Sequence, residues 1–176
     1  MKKINIILSL FALFFIFYSC SRITSNTTNA FDLETQLLSE GYVMTPLKMM
    51  STGHVHFYSE LNGIKGHFVL DTGAGVTVIE KKDKDKFNMQ TIAFDGEATG
   101  AGGRGIKMEK SKNNTLQFDI LTLDNLDLKL MSLDHVNNAF DEMGFEKING
   151  VIGADILADY CAIIDYAKLK LYLKKE

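Results

Sequence analysis

The chain has 176 residues, 46% hydrophobic and 23% charged, with a single proline, which suits one globular domain and excludes a disordered or collagen-like chain. Its formal charge of −3 becomes −5 once Lys2 and Lys3 are set aside, and lysines and acids are interspersed. No basic patch points to a nucleic-acid partner.

Lys2 and Lys3 precede the apolar run Ile4–Tyr18, which ends at Ser19 and Cys20, the pattern of a secretion signal. At about 15 residues the run is shorter than the roughly 20 that a spanning helix needs, so residues 1–19 read as a signal peptide. A small residue before Cys20 and a polar stretch after it resemble the lipobox of bacterial lipoproteins, whose cysteine carries the lipid. Phe17 and Tyr18 depart from that box, and an uncleaved anchor or plain secretion stay open. On the lipoprotein reading residues 20–40 are a lipidated tether, rich in Ser, Thr and Asn up to Thr35. The chain would then sit in the cell envelope, membrane-anchored and facing the periplasm or the exterior.

From Tyr42 onward the pattern is strand after strand. Tyr42–Met50, Val55–Leu61 and Ile64–Leu70 are expected strands, with Asn62-Gly63 as a hairpin turn able to take positive φ. Asp71 follows Leu70 directly and enters the glycine turn before the β-type run Val76–Ile79. The lysine–aspartate run Lys81–Lys86 reads as a short solvated helix or loop. Strands are expected on both sides of the glycine cluster Gly100–Gly105, then at Thr115–Ile120 and Leu126–Met131. Short helices are expected near Asn137–Met143 and at Ala154–Tyr160, and a hairpin of Ala162–Asp165 and Leu169–Leu173 closes the chain. The whole is an all-β antiparallel domain over residues 41–176 with one or two short helices.

Three residue groups invite other chemistry. Cys161 lies in the apolar run Tyr160–Ile164 and reads as a small buried hydrophobe, with no histidine nearby in sequence to make it a nucleophile. His54 and His56 would share one face of a strand, yet no third ligand has a matching spacing, so neither a metal nor a cofactor is expected. Gly100-Ala101-Gly102-Gly103-Arg104-Gly105 matches G-x-G-x-x-G, but Ile106–Glu109 alternates like a strand and no βαβ unit surrounds it. A hairpin tip is the better reading than a dinucleotide loop.

Leu70-Asp71-Thr72-Gly73-Ala74, the glycine hairpin, and Gly150-Val151-Ile152-Gly153-Ala154-Asp155-Ile156-Leu157 resemble, in that order, the three landmarks of retropepsin-like aspartic proteases. The resemblance covers about residues 42–173. It implies a small closed or semi-closed antiparallel β-barrel of the half-pepsin type and an aspartic endopeptidase that hydrolyses an extended peptide or protein. By the same resemblance Asp71, Thr72 and Gly73 are catalytic, while Ala74, Gly100, Ala101, Gly102, Gly103, Val151, Ile152 and Gly153 meet the substrate. The glycine hairpin would be a flap that closes over it.

Hydrolysis by water needs two carboxyl groups that share a proton, one to take a proton from water and one to polarise the carbonyl. The chain has one Asp-Thr-Gly, so the second Asp71 is expected from a second copy in a homodimer. Asp155 and Asp165 are the rival carboxylates within the chain, and both read as capping or turn residues. Gly75 stands where many relatives have Ser or Thr, which removes one hydrogen bond to the turn and loosens it. Two other functions stay open: a catalytically inactive peptide- or protein-binding module of the same fold, and a structural envelope lipoprotein in which Asp-Thr-Gly is accidental.

Overall fold

The structure is a computed structural model that describes residues 32–92, 94, 96–100 and 103–175. The expected signal peptide, Cys20, Ala101 and Gly102 lie outside the described residues. The chain divides into a first unit, Met1–Thr35, and a second, Gln36–Glu176, which carries all the strands.

The tether expected to reach residue 40 gives way earlier to helix α1, Leu33–Ser39. Leu33 and Leu37 fall on one helical face and Leu37 is buried, while Leu38 is exposed, a short amphipathic signal inside a polar segment. Gly41, at φ 89°, ends the helix: its N–H donates to Leu38 O and that of Tyr42 to Leu37 O, the paired bonds of a left-handed C-cap.

The expected run 42–50 is split into β1, Val43–Pro46, and β2, Lys48–Met49, since Pro46 has no N–H to continue a ladder and Leu47 donates instead to Leu169 O. β3, Val55–Leu61, and β4, Ile64–Leu70, pair antiparallel along their whole length. Asn62 and Gly63 between them have φ of 52° and 77°, the two left-handed residues of a tight hairpin. After the Asp71 turn come β5, Val78–Glu80, a 3₁₀ turn at Lys81–Asp83, and β6, Thr91–Ile92. The glycine hairpin is β7, Glu97–Gly100, with β8, Gly103–Lys107. β9, Glu109–Phe118, and β10, Leu121–Met131, run longer than their sequence pattern suggested. Helix α2, Asp134–Glu142, precedes β11, Gly150–Ile152, and helix α3, Ala154–Asp159, leads to β12, Ile163–Asp165, and β13, Lys170–Leu173.

Six strands close a barrel in the order β3–β4–β11–β5–β10–β9, with β9 returning to β3. The β4–β11 and β5–β10 junctions are parallel, a mixture that the antiparallel expectation did not include. Asn62 helps to close the ring: its side chain accepts from Thr115 N and donates to Phe87 O and Asn114 Oδ1. Phe57, Phe68, Phe118, Leu116, Leu130 and Ile152 fill the barrel. A second cluster, including Val69, Val78, Leu133, Phe140 and Ile148, lies on the outer face of β4, β11 and β5. Strands β1, β13 and β12 form a separate three-stranded sheet, whose Leu171 and Leu173 join the barrel core.

Cys161 departs from its expected place. It is exposed, at φ 48°, in the turn after α3. The N–H groups of Cys161 and Ala162 close that helix on Ala158 O and Leu157 O, so the apolar run begins as a helix cap and only then becomes a strand.

Candidate active site

β4 and β5 are consecutive along the chain but are not bonded to each other, because β11 lies between them, parallel to β4 and antiparallel to β5. The residues joining them must therefore bridge two strand spacings, on the order of 9–10 Å. Residues 71–77 make that bridge, and Asp71 stands at its start, exposed. Its N–H donates to Ile152 O at 3.0 Å, and its Oδ1 accepts from Gly73 N at 2.8 Å. A Cβ on Gly73 would lie 3.2 Å from that same Oδ1, so glycine allows the carboxylate to lie against its own turn. Thr72 and Gly73 are exposed and Ala74 is half-buried.

The late landmark meets this turn directly. Ala154 N donates to Ala74 O at 2.7 Å, and Gly153 N donates to Thr77 Oγ1 at 3.0 Å. A Cβ on Gly153 would stand 2.6–2.8 Å from Val76 C, Val76 O and Ala74 O, so only glycine fits beneath the turn. Gly150 is as constrained, between Val78 O, Ile79 and Phe68. Asp71, Ala74, Ile152 and Gly153 are thus brought together by backbone contacts. The side chain of Ile152 is wholly buried in the barrel core, so within one chain its part is packing and the carbonyl bond to Asp71.

Val151 points the other way. It is the register partner of Val69 on β4 and of Val78 on β5, which sets three valines in a row across the face opposite the barrel core. Ile106 and Met108, from the outgoing arm of the glycine hairpin, pack on the same cluster. The hairpin stem and the strands flanking the Asp71 turn therefore share one apolar face. At the hairpin's end Gly100 closes β7 and Gly103 opens β8 at φ 117°; Ala101 and Gly102 lie outside the described residues. Val69 and Val78 were not singled out from sequence, although the alternation in Phe68-Val69-Leu70 and Thr77-Val78-Ile79 already puts them on the face opposite the core.

The rival carboxylates are engaged elsewhere. Asp155 accepts from Thr77 N, Thr77 Oγ1 and Ile156 N at 2.7–2.9 Å, and Asp165 Oδ1 accepts from Lys168 N in the terminal hairpin. His54 and His56 also part company: His54 bonds Thr52 and lies edge-on to Phe140, while His56 bonds His67. No group of three metal-ligating side chains occurs among the described residues.

Residues 58–156 match the family described as aspartyl protease. Among solved structures the chain is similar to a retropepsin-like aspartic protease from Rickettsia conorii, with a TM-score of 0.50 and 16% identity over 77% of this chain and 91% of that one. The EIAV protease complexed with the inhibitor HBY-793 aligns at a TM-score of 0.48 and 14% identity, over 64% and 92% of the two chains. The retroviral protease-like domain of Ddi1 from Leishmania major aligns at 0.44 and 12%, over 75% and 97%. No curated protein matches.

Proposed function

Because the chain belongs to the aspartyl protease family and has a retropepsin-like fold, we propose that it is an aspartic endopeptidase in which two Asp71 carboxylates, one from each of two copies, activate a water. The observation that carries this reading is the Asp71 turn itself: an exposed carboxylate at the end of β4 that accepts from Gly73 N, on a backbone whose N–H is anchored to Ile152 O, with Ile106 and Met108 of the glycine hairpin packed on the outer cluster of the flanking strands. With Asp155 and Asp165 occupied by donors of their own, the partner carboxylate is assigned to a second chain.

In that dimer the two like charges cannot both ionise cheaply, so the pair holds one proton between them and acts as base and acid at once. The ionised carboxylate takes a proton from water as the oxygen attacks the peptide carbonyl, and the protonated one donates to the carbonyl oxygen. Thr72 supports the dyad across the two chains, and Gly73 admits the substrate backbone without a Cβ. An extended peptide lies across the Asp71 turn beneath the hairpin, where main-chain pairing gives affinity and apolar pockets give selectivity. Residues 1–19 direct export and the lipid on Cys20 anchors the enzyme outside the cytoplasm, a reading supported by the lysine-led apolar run that ends at Ser19 and Cys20.

The test is cleavage of a peptide library by wild type and Asp71→Asn. Loss of general acid–base catalysis lowers the rate by a factor on the order of 10²–10⁴. Equal cleavage by both proteins rejects the proposal, and binding without cleavage by wild type identifies an inactive peptide-binding module instead.

A further inference from the structure

A hairpin turn is normally fixed by the ladder between its two strands, but the turn 71–77 joins strands that are not paired to each other. Its shape depends on bonds to the β11–α3 junction. Two of these are main-chain bonds, Asp71 N to Ile152 O and Ala154 N to Ala74 O. The third, at the far end of the turn, is made by side chains. Thr77 is 1% exposed. Its N–H donates to both oxygens of Asp155 at 2.8 and 2.9 Å, and its Oγ1 donates to Asp155 Oδ1 at 2.7 Å.

The direction of these bonds is set by chemistry. Gly153 N can only donate, so Thr77 Oγ1 accepts from it and must spend its own proton on Asp155. Asp155 also receives Ile156 N at 2.8 Å. Three donors converge on one side chain, and of the side chains of this size only an ionised carboxylate accepts at both atoms. An amide would turn an N–H₂ group toward Thr77 N–H and lose one of the bonds.

Resting on the proposed aspartic chemistry, we infer that Asp155 is a positioning residue for Asp71: through Thr77 it clamps the end of the catalytic turn to Gly153 and so sets the orientation in which Asp71 is presented. Rotating a reacting group by a small amount costs rate more than binding. Loss of the clamp therefore lowers kcat and leaves KM nearly unchanged.

The test uses the full chain and two readouts. Hydrogen exchange followed by mass spectrometry is expected to show segments 71–77 and 150–157 exchanging at least about tenfold faster in Asp155→Asn and Thr77→Val, with segments of β9 and β10 unchanged. In cleavage assays kcat falls about 10- to 100-fold with KM within about twofold, the double variant is no worse than the worse single one, and Thr77→Ser, which keeps the hydroxyl, restores both readouts. Wild-type exchange over 71–77 in Asp155→Asn overturns the inference, as do uniformly faster exchange along the chain and an unchanged kcat. If Asp155→Asn does not fold, the contrast between Thr77→Val and Thr77→Ser decides on the same readouts. A wild-type chain that cleaves nothing defeats the protease reading alone, while the exchange pattern still judges the clamp.

Discussion

His56 and His67 face each other across the outer side of the β3–β4 hairpin, with His56 Nδ1 2.7 Å from His67 Nε2. His67 Nδ1 lies 3.1 Å from Lys147 O, a carbonyl that can only accept, so Nδ1 carries a proton and Nε2 is the atom turned to His56. Tyr58 stacks on His67 and donates to Glu146 at 2.5 Å, with Lys48 and Lys65 over its ring. Burial, then the charges of His67 and Lys48, hold His56 below its ordinary 6.5, against the opposing pull of Glu146. A histidine with a depressed folded pKa leaves the unfolded chain binding more protons below pH 6.5, so stability falls as pH drops from 6.5 toward the folded value. The melting temperature is therefore expected to be a few degrees lower at pH 5.5 than at pH 7, and His56→Gln to flatten that slope in a thermal scan. An identical slope in the variant would assign the loss to other groups. Glu109, Asp127 and Asp134 are lowered by lysine partners, so their smaller surface contributions are lost only in the carboxylate range, below about pH 4.5.

At the scale of elements, the three-residue strand β11 is what spreads the Asp71 turn, and it is held by side chains near its start. Asn137, on α2, bonds both backbone groups of Ile148, donating to its O and accepting from its N. Asn149 Oδ1 accepts from His67 N, while its own N–H goes to His67 O and its O accepts from Glu80 N. Buried Glu80 in turn receives Leu133 N and Lys82 N, tying β5 to the start of α2. Asn137→Ala leaves two buried polar groups of Ile148 unpaired and is expected to cost about 2–4 kcal/mol, seen as a lower urea midpoint at unchanged m. Asn137→Asp keeps the acceptor but turns a second oxygen, and a buried charge, toward Ile148 O, and is expected to lose at least as much. β3, β4 and their Asn62-Gly63 turn were legible to the residue, since alternation and turn chemistry are local. β11 was not legible as a strand, because three residues show no periodicity and its two neighbours lie about 70–80 positions away in sequence. Helix α1 was missed for a related reason: seven residues with one buried leucine barely rise above the polar segment around them.

At the scale of the whole molecule, one chain presents one exposed Asp71 in its turn, and on the proposed mechanism activity belongs to the pair. The rate per chain is expected to fall on dilution as dimers dissociate, in step with the dimer fraction seen by sedimentation. Mixing wild type with an equal amount of Asp71→Asn, under conditions where the chain is dimeric and exchanges subunits, should lower the activity about twofold, since half of the wild-type chains pair with an inert copy. An in-chain dyad would leave the activity unaltered. The sequence by itself determined the strand pattern, the place of Asp71 at a strand end and the glycines around it, because those follow from side-chain period and backbone sterics within a few residues. Only the tertiary structure decided that β11 separates β4 from β5, that Val69, Val151 and Val78 form one row, and that Asp155 belongs to Thr77. Those are contacts between distant segments, and their register is chosen by barrel closure and by the pairing of buried polar groups, neither of which a local pattern contains.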